Sequence, residues 1–155
     1  LVDADMKHYA KITAERIGED YSEKEGAGAA GGLGFAFVSY LSAKLVPGIE
    51  LILDVINFRE DVKGADIVIT GEGRLDLQTA MGKAPVGVAK EAKKHGCKVL
   101  AFAGSVTKEA VACNENGIDA FFPIVRGVCT LKEAMDNETA RANLSDTVEQ
   151  VFRLL

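Results

Sequence analysis

Apolar positions recur at two spacings along this chain, and the change between them divides it. In the first part the spacing is helical. Met6, Tyr9, Ala10, Thr13 and Ile17 recur every third or fourth residue and stop at Gly18, which predicts an amphipathic helix over 5–18. A polar loop over 19–25 and a glycine-rich run from Gly26 to Gly34 (GAGAAGGLG) follow. Leu33 to Leu45 is apolar nearly throughout and predicts a mostly buried helix. Val46-Pro47-Gly48 reads as a turn. Ile49, Ile52, Leu53 and Ile56 make one face of a further helix over 49–58, with Asp54 and Asn57 turned to solvent.

Beyond a polar connector (Arg59 to Ala65) the pattern changes to short apolar runs alternating with helical ones. Ile67-Val68-Ile69 is a continuous β-branched run closed by Thr70, which suits a strand covered on both faces. Lys98 to Ala103 and Ala120 to Val125 predict two more strands, the first ending in Gly104-Ser105 and the second carrying Pro123 at an edge or end. Between them lie helices over 85–95, stopped by Gly96, and over 108–116, capped by Thr107. Thr130 and Glu133 form a capping box. The last helix starts at Asn137 or Thr139, with Ala140, Leu144, Val148, Val151 and Leu155 on one face. Strand and helix in alternation predict an α/β fold, a parallel sheet with flanking helices built from right-handed βαβ units. The change of pattern places a domain boundary near residue 62.

Composition narrows the function. The 155 residues carry a net charge of −5, 48% apolar and 26% charged residues, an ordinary globular balance. No long basic run or aromatic–basic interleaving occurs, so nucleic acid is not an expected partner. No stretch approaches the ~20 apolar residues of a membrane span, and the opening residues lack the pattern of a signal peptide. Three cysteines, Cys97, Cys113 and Cys129, form no CxxC pair and read as small buried apolar residues of a protein in a reducing cytoplasm. The two histidines, His8 and His95, lie in no metal-spaced cluster, and no metal site is assigned. Leu1 opens the chain in mid-pattern, and three strands are few for a parallel sheet. Both features predict a piece of a longer protein, with apolar surface that would drive self-association.

The chemistry concentrates between Asp66 and Pro85 (DIVITGEGRLDLQTAMGKAP). Gly71 and Gly73 predict a tight turn after the first strand, Glu72, Arg74 and Asp76 put three charges into it, and Pro85 is placed for the first turn of the next helix. Such a loop runs from the carboxyl end of a strand to a helix N-terminus, where open α/β sheets bind ligands and anions are favoured. Gly82-Lys83-Ala84 fails the Walker A pattern, and neither GxSxG nor HExxH occurs. Gly26, Gly28 and Gly31 match GxGxxG, but polar and acidic residues stand where the dinucleotide fingerprint needs a strand. A dinucleotide-dependent oxidoreductase rests on that match alone. A tight helix entry is the plainer reading, and its successive N–H groups can still cradle an anion.

The run Thr70-Gly-Glu-Gly-Arg-Leu-Asp76, with Gln78 and Gly82-Lys-Ala-Pro-Val-Gly-Val-Ala89, resembles the bacterial glycerate kinase family. Gly26 to Gly34 resembles that family's glycine-rich segment, in the right order and at the right distance. The resemblance implies phosphorylation of glycerate, at its 2-hydroxyl, by ATP with Mg²⁺. It implies a Rossmann/flavodoxin-like half over 64–155, the C-terminal part of a Rossmann-like domain, and over 1–63 the mainly helical tail of a second, inserted α/β domain. The family's Ser-Phe-Lys-Gly and Asp-Gly-Gly-Glu-Gly motifs do not occur here, so little or no kinase activity is expected of the chain by itself.

On this reading Asp76 is a hydroxyl-facing base or a metal-linked carboxylate, and Glu72 is the second carboxylate. An alternative for Glu72 is a carboxylate accepting N–H bonds within its own turn. Arg74 forms a bidentate contact to phosphate or carboxylate, or else an ion pair with Glu72 or Asp76. Lys83 holds a phosphate or is a solvated surface lysine. Gly28, Gly31, Gly32, Gly71 and Gly73 supply main-chain donors, and Gly104 and Ser105 line the nucleotide site or make an ordinary strand-to-helix turn. The competing function is a non-catalytic anion-binding or regulatory α/β module.

Overall fold

A computed structural model describes residues 2–155. The chain divides into two compact units, Leu1–Gly48 and Ile49–Leu155. The packing division thus falls ahead of the change in sequence pattern near residue 62. The intervening residues have partners in the second unit: a side chain at Gly87 would collide with Ile49, Arg59 pairs with Glu91, and Val62 lies in the core.

The first unit holds α1 (Val2–Ile17) and α2 (Ala29–Leu41). Tyr9 meets Phe35 edge to face at 5.3 Å, and the buried Thr13 hydroxyl shares a 2.9 Å hydrogen bond with Tyr40. Between the helices Gly26, Ala30, Gly31 and Gly32 take left-handed backbone angles, so regular helix starts only after Gly32. Gly32 takes φ +94°, a conformation side chains rarely adopt, and the Met6 terminal methyl group stands where a Cβ would lie. The helix expected to be mostly buried is buried only along Gly34, Phe35 and Val38. Leu33, Phe37, Tyr40 and Leu41 stay exposed, and the helix ends at Leu41 with Ser42 left-handed. One partner helix covers one stripe of an apolar helix, not its circumference.

The second unit opens with α3 (Gly48–Val55) and α4 (Phe58–Asp61). Of the apolar face predicted over 49–58, Leu53 is buried while Ile52 and Ile56 are exposed. A three-stranded parallel sheet follows, in the order β1-β2-β3, with β1 Ile67–Leu75, β2 Lys98–Val106 and β3 Ala120–Pro123. Helices α5 (Leu77–Ala80) and α6 (Ala84–Lys94) join β1 to β2. A 3₁₀ turn (Lys108–Val111) runs into α7 (Ala112–Glu115), and α8 (Leu131–Ala134) and α9 (Asn137–Phe152) close the chain.

Central strand β2 is buried over Val99–Ala103 because helices cover both its faces. Val99, Ala101 and Ala103 meet Val86, Ala89 and Ala92 of α6. Leu100 and Phe102 meet Val151 of α9, with Phe102 stacked on Phe122 at 5.6 Å. β1 is an edge strand, and Ile69, expected to be covered, is 50% exposed. The single helix expected over 108–116 is broken into the 3₁₀ turn and α7, and the buried Thr107 hydroxyl, the expected cap, makes no hydrogen bond. The Thr130–Glu133 capping box forms as expected, and Asp136 caps α9. Cys97 and Cys113 are buried, but Cys129, expected to be buried, is exposed in the loop after β3. No described helix is long and apolar enough to cross a membrane.

Asp119 ties the end of α6 to the sheet, accepting from Val99 N–H at 2.6 Å and from Lys93. Burial pushes its carboxyl up, but the Lys93 ammonium and the Val99 amide more than reverse this and hold it below the ordinary aspartate range. Its contribution is therefore complete above the unfolded value of about 3.9 and is lost as pH falls through the lower folded value. Asp119→Asn should flatten the loss of stability below about pH 4, read as the urea midpoint against pH. An unchanged acid slope would remove Asp119 from the acid-sensitive groups.

Candidate functional site

The stretch Thr70 to Leu75 is not a turn. β1 continues through it, with Gly71 opposite Phe102, Glu72 opposite Ala103 and Arg74 opposite Ser105. Gly104 and Ser105 likewise belong to β2 rather than to a strand-ending turn. Gly71 and Gly73 were expected to supply turn geometry, yet neither takes a positive φ. The glycine at 71 is required for close approach instead. A Cβ there would sit 2.2 Å from the Phe102 carbonyl oxygen. Because β3 pairs β2 only as far as Pro123 opposite Ala103, the last residues of β1 and β2 project past it as a two-stranded ribbon.

The chain turns after that ribbon, at Asp76. Its carboxylate caps α5, accepting from Thr79 N–H at 3.2 Å, while the Asp76 N–H donates to Thr79 Oγ1 at 3.2 Å. Thr79 Oγ1 also donates to Glu72 Oε1. One buried threonine therefore connects both candidate carboxylates, Glu72 through its hydroxyl and Asp76 through its N–H. Glu72 does not bond to main-chain N–H groups of a turn, since its segment is strand. Burial raises the Asp76 carboxyl, but the Thr79 and Gln78 amides and the Lys83 and Arg74 charges outweigh it and hold it below the ordinary range.

Lys83 occupies the N-cap position of α6, with Pro85 in the first turn, and its Nζ lies 3.8 Å from Asp76 Oδ1. Arg74 is exposed, and among the described residues it enters no ion pair; the expected alternative of a pair with Glu72 or Asp76 is not formed. Glu72, Arg74, Asp76, Lys83, Gly104 and Ser105 thus share the carboxyl-terminal edge of β1 and β2. A cavity of about 460 Å³ opens beside Gly71, Glu72 and Gly104, walled by Ile69, Phe102 and Leu144. No cluster of three or more His, Cys, Asp or Glu able to hold a metal occurs among the described residues.

In the first unit Gly28 and Gly31 are exposed and Gly32 is buried. The Gly32 N–H is already used, donating to the Gly28 carbonyl at 3.3 Å. A cavity of about 800 Å³ is lined by Met6, Ala10, Gly28, Gly31, Gly32 and Phe35. Thr79 was missed in the sequence. Asp76-Leu-Gln-Thr79 has the spacing of a capping box, but Thr replaces the usual Glu or Gln at its third helical position.

Comparison with known proteins gives a consistent result. The model of the glycerate kinase family matches residues 1–155. A glycerate kinase of Halalkalibacterium halodurans is 51% identical over 134 residues, 86% of this chain and 35% of the relative. The glycerate 2-kinase of Escherichia coli K12 is 41% identical over 133 residues, again 86% and 35%. A solved structure assigned as glycerate kinase 2 of Salmonella typhimurium LT2 superposes with a TM-score of 0.62 at 36% identity, covering 96% of this chain and 39% of that one. The chain thus spans between a third and two-fifths of the length of these three relatives.

Proposed function

Because this chain belongs to the glycerate kinase family, we propose that it is the C-terminal portion of an enzyme that transfers the γ-phosphoryl group of ATP to a hydroxyl of glycerate. Residues 64–155 would then be the end of its Rossmann-like domain and residues 1–63 the tail of the inserted one, of which 49–62 pack with the Rossmann-like part. The observation that supports this reading most is the gathering of Glu72, Arg74, Asp76 and Lys83 where β1 ends and α6 begins.

Phosphoryl transfer asks a protein for positioning and for charge neutralisation. Lys83 and the positive dipole end of α6 attract phosphate oxygens, although Pro85 has no N–H and those of Val86 and Gly87 already donate to the Lys83 carbonyl. Arg74, which enters no ion pair among the described residues, offers its planar fork to a phosphate or to the glycerate carboxylate. Asp76 is ionised at neutral pH and, being a weak base, acts by accepting a hydrogen bond that orients the attacking hydroxyl. Gly28 and Gly31 offer main-chain groups to an anion, while Gly32 maintains the shape of their loop. Gly71, Gly73, Gly104 and Ser105 line the nucleotide side.

Mg²⁺ is held by one or two carboxylates together with substrate phosphates rather than by an all-protein cage. Two carboxylates held by one threonine fit that requirement. Glu72 and Asp76 would hold the ion, which would neutralise charge on the transferring group. The same reading places the protein in the cytoplasm. The exposed apolar positions of α2 and α3 support self-association of the chain by itself, which light scattering would detect as a mass above the monomer.

The test is glycerate-dependent ADP release by the complete gene product that carries this sequence. Turnover is expected there, with little or none from residues 1–155 alone. Asp76→Asn should lower kcat by about tenfold or more while the protein stays folded. A non-catalytic anion-binding module is favoured by one observation, that both carboxylates are already engaged with Thr79. Phosphate binding without turnover in the complete product would select it.

A further inference from the structure

We propose that Thr79 is a positioning residue that sets Glu72 and Asp76 as a unit for phosphoryl transfer. The inference rests on the kinase reading of this site and deepens it.

Thr79 is fully buried, whereas the groups proposed to meet substrate are open to solvent or partly so. Its hydroxyl has one proton and two acceptor lone pairs. The proton goes to Glu72 Oε1, and one lone pair receives the Asp76 N–H. Its own N–H donates to Asp76 Oδ1, which also lies 3.4 Å from the hydroxyl. Glu72 is on strand β1 and Asp76 follows its end, so Thr79 closes a bridge from the first turn of α5 back onto the strand. A helix cap alone needs only the Asp76–Thr79 pair. The additional bond to Glu72 fixes a side chain that a cap does not use. It also leaves the second oxygen of each carboxylate uncommitted to Thr79. Carboxylates on an exposed ribbon end would otherwise sample several rotamers. Holding both from a buried point removes that freedom before substrate binds.

The chemistry predicts a sharp difference between two small substitutions. Thr79→Val keeps the shape and the main-chain N–H but removes the hydroxyl. Thr79→Ser keeps the hydroxyl and removes one methyl. In the complete gene product, Thr79→Val should lower kcat by about 10- to 100-fold with the KM for ATP within about threefold. Thr79→Ser should keep kcat within about threefold. A second readout is independent of turnover: the Asp76 amide should lose hydrogen-exchange protection at least about tenfold in Thr79→Val and keep it in Thr79→Ser. The Val99 amide, bonded to Asp119, serves as the unaffected reference.

Unchanged kcat in Thr79→Val would overturn the proposal. So would an equal loss in Thr79→Ser, or a loss in Thr79→Val matched by falling protection at Val99, because either marks general destabilisation. Should the unsubstituted protein show no glycerate-dependent ADP release, the kinase reading falls separately. The exchange data then decide whether Thr79 holds the two carboxylates, with unaltered Asp76 protection in Thr79→Val counting against it.

Discussion

Gly71→Ala is expected to destabilise the chain by about 3 kcal/mol or more. The obstacle is main chain. The new methyl group would lie 2.2 Å from the Phe102 carbonyl oxygen, and no rotamer can relieve it. Relief requires β1 and β2 to part at the pair Gly71–Phe102, in the middle of a ladder that runs from Ile67–Lys98 to Leu75–Val106. Parting leaves strand N–H and C=O groups unpaired and opens the core under Ala101 and Ala103. Gly73→Ala is the internal control. A Cβ there meets nothing within 4 Å, so the cost should stay within about 1 kcal/mol. For a chain of this size the difference corresponds to a thermal midpoint lower by about 5–10 °C in Gly71→Ala. Equal midpoints for the two variants would mean that the ribbon is not paired as described.

The second large effect is on turnover. Arg74→Ala in the complete gene product is expected to reduce kcat by about 10²- to 10³-fold, the range found when one donor to a developing charge is removed. Stability should change by no more than about 0.5 kcal/mol, because Arg74 is exposed and holds no ion pair among the described residues. This contrast separates the two readings of the residue. A structural arginine would affect folding and leave kcat alone, whereas a substrate-facing one does the reverse. Arg74→Lys should recover part of the rate, since charge returns without the planar fork. Wild-type kcat in Arg74→Ala would remove it from the site.

The sequence placed Glu72, Arg74, Asp76 and Lys83 between the first strand and the next helix, where the structure has them, but it misread the backbone that carries them. Glycine is a poor strand former and a good turn former, so Thr70-Gly-Glu-Gly reads locally as a turn. Across the sheet the same glycines permit an approach that any side chain would block, and the ladder continues to Leu75. Thr79 escaped notice for a related reason. Its partners, Asp76 three residues before it and Glu72 seven before it, are brought to one hydroxyl only because β1 stays extended and α5 turns back on it. The exposed face of α2 shows the same limit from the other side. Hydropathy marks a helix as apolar but does not say how much of it a single neighbour covers.

The sequence by itself determined the order of the three strands and the longer helices, though not the short α4 and α5, together with the parallel α/β class, the helix stops and caps at Gly96 and Thr130, and the family resemblance carried by Gly26–Gly34 and Thr70–Ala89. These depend on local periodicity, on turn chemistry and on residue identity, which a single chain displays directly. Only the tertiary structure decided where β1 and β2 end, which apolar faces stay open, that Arg74 enters no ion pair among the described residues, and that one buried threonine joins two carboxylates. Those outcomes depend on which distant backbone and side-chain groups come within hydrogen-bond reach, and a linear pattern does not encode that distance.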